Sequence, residues 1–178
     1  MGTPHQPEPS LLFISLLFSQ REIFSSAAPL LINRFGGVLI ESAEYQWNHT
    51  HYYDNELGTP IFRKLLFFGN PFDPLSLPEV KIETNLMETA FADEGKRRIN
   101  IDPGYIMRSR VVLASAKDYS HRIYLGKGIY GEVALYYQGR KFNPLPYTYF
   151  DYRDQQSLVW FERARKELRR REGIQDVI

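Results

Sequence analysis

Four groupings in this sequence set reactive or charged side chains at spacings that chemistry can use. Gly126 to Val133, GKGIYGEV, puts Gly, Gly, Gly and Val where the phosphate-covering loop of a protein kinase has them. His49-Thr50-His51, followed by Asp54 and Glu56, offers the donor types of a zinc or non-haem iron centre, because alternate residues of an extended segment share a face. Lys81, Thr84, Asn85 and Glu88 are spaced i, i+3, i+4 and i+7, so a helix that holds them presents them on one side. His121 and Arg122 precede the glycine-rich stretch and Glu132 lies near its end, which brings an imidazole, a guanidinium and a carboxylate close together in the sequence.

A phosphate loop needs companions. A kinase requires a lysine on the next strand, a catalytic loop with Asp and Asn, and a metal-binding Asp-Phe-Gly, and none of these follows Val133. No G-x-x-x-x-G-K-[ST] occurs; Lys127 is followed by Gly128 where a metal-binding hydroxyl belongs, and Asn70-Pro71-Phe72-Asp73 lacks the lysine of a guanine-reading loop. GKGIYGEV is therefore read as the turn of a β-hairpin, with His121 to Leu125 and Ile129 to Tyr137 as strands around Gly126-Lys127-Gly128. That register pairs Tyr124 with Tyr130, Ile123 with Gly131 and Arg122 with Glu132. It assigns His121, Ile123, Leu125, Ile129 and Val133 to a core face, and sets Arg122, Tyr124, Tyr130 and Glu132 on the other, as ordinary cross-strand pairs or as the floor of a polar pocket.

The remaining groupings have plainer readings beside the chemical ones. H-x-H alone is a weak metal signal, so His49 and His51 are read first as part of a hydrogen-bonding loop, with a metal-dependent enzyme as the alternative. The Lys81 to Glu88 face lies opposite an apolar stripe of Ile82, Leu86, Met87, Ala90 and Phe91, the arrangement of a helix whose polar side is solvated.

The elements that must position these residues follow from periodicity and punctuation. Leu11 to Phe18, LLFISLLF, is too short for a membrane span and reads as a buried central strand. Ser19 and Glu22 have capping-box spacing, so a helix is expected there, kinked by Pro29 and ended by Gly36-Gly37. Strands are expected over Val38 to Trp47 and Phe62 to Phe68, a second helix from Pro78 to Gly95, and a fourth strand over Arg97 to Ile101, halted by Asp102-Pro103-Gly104. The predicted fold class is α+β, a ferredoxin-like βαββαβ core over about 11–104. It is extended over about 105–172 by a short helix near Ser109, the hairpin and a terminal helix from Asp154 with Leu158, Phe161, Ala164 and Leu168 inward. Residues 1–10 are expected as a flexible arm and 11–178 as one domain.

Composition narrows the function classes. A chain of 178 residues with 43% hydrophobic and 24% charged residues is an ordinary globular domain, and 22 basic against 21 acidic residues give no global field for nucleic acid or anionic lipid. The absence of cysteine excludes disulfides, thiolate nucleophiles and Cys-ligated metal, and suits a cytoplasmic protein, the expected location. The arginines of the last helix leave a protein- or RNA-docking module as a further alternative.

Taken in order, several stretches resemble one family: Thr50-His51-Tyr52-Tyr53 with Glu56 and Gly58, Lys81 with Thr84-Asn85 and Glu88, and Arg98-Ile99-Asn100-Ile101-Asp102-Pro103-Gly104-Tyr105. Val112-Leu113-Ala114, Lys117-Asp118, His121-Arg122-Ile123-Tyr124-Leu125, Gly128-Ile129-Tyr130 with Glu132, Thr148-Tyr149 and Asp151-Tyr152-Arg153 complete the set. The chain is similar in these to the family of unknown function catalogued as DUF4416, whose bacterial members are often labelled GTP-binding. The chain departs from the pattern with Leu57 in place of Met and Phe150 in place of Pro, and the positions of His49 and His51 are not held to His. What the resemblance implies is a polar pocket for a small anionic or nucleotide-like ligand, between the second helix, the Tyr52 to Gly58 loop and the hairpin. Its expected ligand-binding residues are Tyr52, Tyr53, Glu56, Lys81, Thr84, Asn85, Asp102, Tyr105, Lys117, Arg122, Tyr124 and Tyr130, with His121 and Glu132 as the catalytic candidates for proton transfer. The resemblance leaves the cofactor unknown.

Overall fold

LLFISLLF is apolar at every position but one, and a strand of that composition has to be covered on both faces. In the computed structural model, which describes residues 2–173, it forms β1 (Leu11–Phe18), buried along its whole length in a nine-stranded sheet. Met1 and the last five residues of the expected 11–178 domain lie outside the described residues.

On one side of β1 runs β4 (Ile61–Pro71), itself paired with β2 (Val38–Glu41) and β3 (Tyr45–Trp47); on the other runs β5 (Ile99–Ile106). The sheet continues through β6 (Arg110–Ser115) and β8 (Ile129–Gln138) to β7 (Ile123–Gly126), while β9 (Lys141–Pro144) adds to the far end of β8. The order is β2-β4-β1-β5-β6-β8-β7, and each pairing is antiparallel, so the architecture is α+β.

Period-two alternation sends the two faces of β1 into different layers. Leu12, Ile14, Leu16 and Phe18 pack with Ala27 and Leu31 of α1 (Arg21–Phe35) and Val80 of α3 (Leu77–Ala90). Leu11 and Phe13 face α5 (Gln155–Arg171), whose Phe161 ring meets Phe13 edge-on at 5.0 Å and Phe67 at 5.5 Å. Two short helices, α2 (Asp54–Leu57) and α4 (Phe150–Arg153), lie in the connections.

Several expectations are corrected. Ser19 does not cap α1: its hydroxyl donates to the Leu57 carbonyl, and the helix starts at Arg21 behind Gln20, with no side-chain cap. The helix runs past Pro29 and ends, as expected, at Gly36, whose φ of 98° favours glycine. The strand foreseen over Val38 to Trp47 is two strands, broken at Ser42, whose amide and hydroxyl exchange hydrogen bonds with the Leu65 backbone at 2.9 and 2.8 Å. The segment read as a short helix near Ser109 is β6, because Val111 and Leu113 face the α5 layer while Val112 and Ala114 face α3, the alternation of a strand covered on both sides.

Asp102-Pro103-Gly104 does not halt β5 but lies inside it. Pairing with β6 starts at Gly104, so Pro103 stands just outside that ladder, where a missing N–H is tolerated. Gly104 is required for close approach: a Cβ there would run into the Val112 carbonyl oxygen and the Phe13 ring. The hairpin keeps the foreseen pairs Tyr124↔Tyr130 and Ile123↔Gly131, but its foreseen core face is buried only on β8. Ile129 is buried against Leu77 with Val133 beside it, as foreseen, but Ile123 is 72% exposed because β7 ends the sheet, and Arg122 and Glu132 of the other face are buried. On α3, Lys81, Thr84 and Glu88 are buried beside Leu77 and Val80 and Leu86 is exposed, while Ile82, Met87 and Phe91 of the foreseen stripe pack only partly buried against the core.

Candidate functional site

The buried polar side chains of α3 and of the hairpin look onto one concavity, a cleft of about 610 Å³. Its α3 wall is a chain of charge-assisted bonds. Lys81 Nζ donates to the Ile101 carbonyl at 3.2 Å and to Asp102 Oδ1 at 2.8 Å. Glu88 accepts the Ile101 amide at 2.6 Å and pairs with Arg97 at 2.9 Å, and Arg97 also holds Glu56 at 2.6 Å. Asn100 closes the chain, accepting from Arg97 at 3.0 Å and donating to Asp102 Oδ2 at 2.6 Å. A helix can bury such a face because each charge meets an opposite one.

Two carboxyls of that wall, Glu88 and Asp102, are driven apart. Burial pushes the Glu88 carboxyl above the usual carboxylate range. Burial also works against the Asp102 carboxylate, but the charge and hydrogen bond of Lys81, with help from Asn100, outweigh it and hold that group below its ordinary value. Asp102 sits deep in the concavity yet keeps 37% of its side-chain surface open to it. Arg97, through its hydrogen bonds, lowers Glu56 in the same way.

The hairpin wall is built on Arg122. Its Nε donates to Glu132 Oε2 at 2.7 Å, Nη1 to Ser115 Oγ at 2.7 Å and the Lys117 carbonyl at 2.9 Å, and Nη2 to the Tyr149 hydroxyl at 2.9 Å. Behind it, His121 Nε2 lies 3.0 Å from Glu132 Oε2, with its ring stacked on Tyr147 at 4.2 Å. Glu132 Oε1 is buried without a partner among the described residues.

The floor holds Ser15, Trp47, Asp151 and Tyr152. Beneath them Arg63, fully buried, donates to Asp151 at 2.7 Å and Ser15 at 3.1 Å and lies 4.2 Å over the Tyr152 ring. Burial pushes the Tyr152 and Tyr53 hydroxyls up, so both stay neutral donors. The rim is aromatic and open: Tyr52, Tyr119 and Tyr149 are exposed, and Lys117 places its ammonium 5.1 Å over the Tyr52 ring.

Of the residues singled out in the sequence, Tyr52, Tyr53, Lys81, Asn85, Glu88, Asp102, Lys117, Arg122 and Glu132 line the cleft. Others stand behind it: Glu56 holds Arg97, Thr84 donates to the Lys81 carbonyl at 3.1 Å, and His121 supports Glu132. Tyr105 packs against Phe72 at 6.2 Å, and Tyr124 lies against Tyr130 at 5.3 Å, none of these rings lining the cleft. The histidines diverge, His49 to Asp154 at 2.8 Å and His51 to Asp54 at 2.7 Å, and no group of three or more His, Asp or Glu among the described residues can hold a metal ion.

Sequence reasoning missed Ser15, Arg97, Tyr119 and the cleft role of Asn100, Tyr149 and Asp151. One signal was present: Ser15 is the single hydroxyl in LLFISLLF, and a polar group in a strand buried on both faces needs a partner. On α5, Arg163 lies 4.5 Å over Trp160 and Arg170 pairs with Glu167 at 2.7 Å, so part of the basic run is turned onto its own helix. No helix among the described residues is long and apolar enough to cross a membrane.

One family matches, described as Domain of unknown function (DUF4416), over residues 8–168. Neither the curated proteins nor the solved structures contain a match to the chain.

Proposed function

Because the chain belongs to the DUF4416 family, whose description names no activity, we propose a function from its own residues: the cleft binds a small anionic, nucleotide-like ligand, without a conventional GTPase site. One observation carries the reading. Charged side chains from α3, β5 and the β7–β8 hairpin, far apart in the sequence, line a single concavity of about 610 Å³, within the size range of small-molecule sites.

The parts suit such a ligand. Three exposed tyrosines at the rim offer faces for a planar ring, each stacked base being worth about 1–3 kcal/mol in nucleotide-binding grooves. Lys117 offers a cation at the same rim, and the buried ion pairs of the walls hold their shape before anything binds. Glu132, in contact with His121, gives the pair a route for proton transfer at the wall. The finer architectural reading, a ferredoxin-like unit over β1 to β5, is supported by the order β2-β4-β1-β5 with α1 and α3 on one face. A cytoplasmic location is supported by the lack of cysteine.

Mass spectrometry of the freshly purified protein, native and after extraction, tests this. A small molecule with an acidic group is expected to be retained, and Lys117→Ala or Tyr52→Ala should weaken its rebinding roughly tenfold, about 1.4 kcal/mol. Unchanged rebinding by both variants would place the ligand elsewhere.

A further inference from the structure

The charges of the cleft can be sorted by which of them a ligand meets. Four cations line it, and three are already neutralised. Lys81, 7% exposed, is 2.8 Å from Asp102; Arg122, 1% exposed, is 2.7 Å from Glu132; Arg97 is held between Glu56 at 2.6 Å and Glu88 at 2.9 Å. Lys117 alone among these four has no carboxylate of the described residues within ion-pair distance, its ammonium resting over Tyr52. The carboxylates divide in the same way. Glu132, Glu88 and Asp151 expose 1%, 6% and 13% of their side chains, whereas Asp102 exposes 37%.

A ligand entering the cleft therefore meets one free cation at the rim and one open carboxylate at depth. Asp102 stays ionised at neutral pH and has lone pairs beyond those used by Lys81 and Asn100, so it accepts from a hydroxyl or ammonium and repels phosphate. No glycine-rich loop supplies backbone amides for a chain of phosphates, since GKGIYGEV is a hairpin turn that does not line the cleft between Gly126 and Gly131.

We propose, on the reading of the cleft as a binding site, that its ligand carries a single acidic group, a monophosphate or a carboxylate, together with a hydroxyl donor, and that nucleoside triphosphates are excluded. Lys117 takes the acidic group, Asp102 the hydroxyl, and the rim tyrosines the ring. The inference bears on specificity. One free cation can hold one acidic group, a carboxylate fully balanced and a monophosphate in part, and each further phosphate would lie without a cation in a cleft that already contains Asp102.

The test is titration calorimetry of the full chain against matched ribonucleosides, 5′-monophosphates and 5′-triphosphates, with and without Mg²⁺, and against aromatic 2-hydroxy acids. A monophosphate is expected to bind at least tenfold more tightly than its nucleoside and its triphosphate, and Lys117→Ala should remove the advantage over the nucleoside. Asp102→Asn, checked for folding by its melting curve, should narrow the gap between monophosphate and triphosphate. Tighter binding of a 2-hydroxy acid supports the proposal and identifies carboxylate as the single charge. A triphosphate that binds as tightly as the monophosphate overturns the proposal while leaving the cleft a binding site, as does a monophosphate indifferent to Lys117→Ala. No binding in any series, with nothing retained at purification, removes the binding reading and this proposal with it.

Discussion

Helices α5 and α3 cover opposite faces of the same sheet and obey opposite rules. α5 buries Phe161, Ala164 and Leu168 and leaves Arg163 and Arg170 exposed, as its pattern dictates. α3 buries Lys81, Thr84 and Glu88 and exposes Leu86. Both bury a face, but α5 does so mainly with apolar side chains, whereas α3 adds ion pairs to β5 and its approach to the apolar contacts of Leu77 and Val80. The exception marks the cleft. Natural folds depart from pattern where something other than stability is being served, and the departure here faces the concavity.

The comparison can be tested by attacking each helix in turn. Phe161→Ala in α5 should be the most damaging change, lowering stability by about 3–5 kcal/mol in chemical denaturation, because its ring sits between Phe13 and Phe67 with no exposed surface. Glu88→Ala in α3 should cost about 1–3 kcal/mol, chiefly by orphaning the Ile101 amide, since Arg97 retains Glu56. If the two losses came out equal, the view that α3 and α5 are held differently would fail.

A smaller effect is read by pH at α3 and at β5 beside it. Burial holds the Glu88 carboxyl above its ordinary 4.5, so the folded protein retains a proton that the unfolded chain releases. Its contribution is fully present below 4.5 and declines as the pH rises through the folded-state value. Asp102 works with the opposite sign: lowered from 3.8, it stabilises above that value and its contribution is lost as the pH falls through the folded-state one. Glu88→Gln should therefore flatten the decline in melting temperature above pH 4.5, and a decline of wild-type steepness would exclude Glu88 as its source. Smallest of all, Leu86→Lys on the outer face of α3 should change stability by no more than about 0.5 kcal/mol, and a larger loss would mean that this face is covered.

How much of this was legible in the sequence depends on how far apart the partners lie. The hairpin register was legible because Tyr124, Tyr130, Ile123 and Gly131 are close in the chain and obey period two. The Arg122–Glu132 pair followed from it, and so did the inward residues of α5. The buried face of α3 was not legible, since hydrophobicity locates the apolar side of a helix and says nothing of a polar side satisfied by residues such as Ile101 and Asp102 on another strand. Asp102-Pro103-Gly104 misled for a related reason: the glycine reads locally as a turn, while its actual cause is the approach of Val112 and Phe13. The cleft residues from the resemblance motifs were found as a set, but their division into open and neutralised charges required coordinates.

The cleft draws Ser15 from the first strand, Tyr52 and Tyr53 from a loop, Lys81 to Asp102 from the middle of the chain, Arg122 and Glu132 from the hairpin, and Tyr149 to Tyr152 from just before the last helix. No contiguous fragment carries the site, so a ligand that occupies it recognises only the completely assembled sheet. Occupancy and global unfolding are thereby linked: at a hundredfold excess over its dissociation constant, a ligand would add about 2.7 kcal/mol to the stability of the whole molecule. Thermal melting can then serve as a screen for that ligand before any reaction is known.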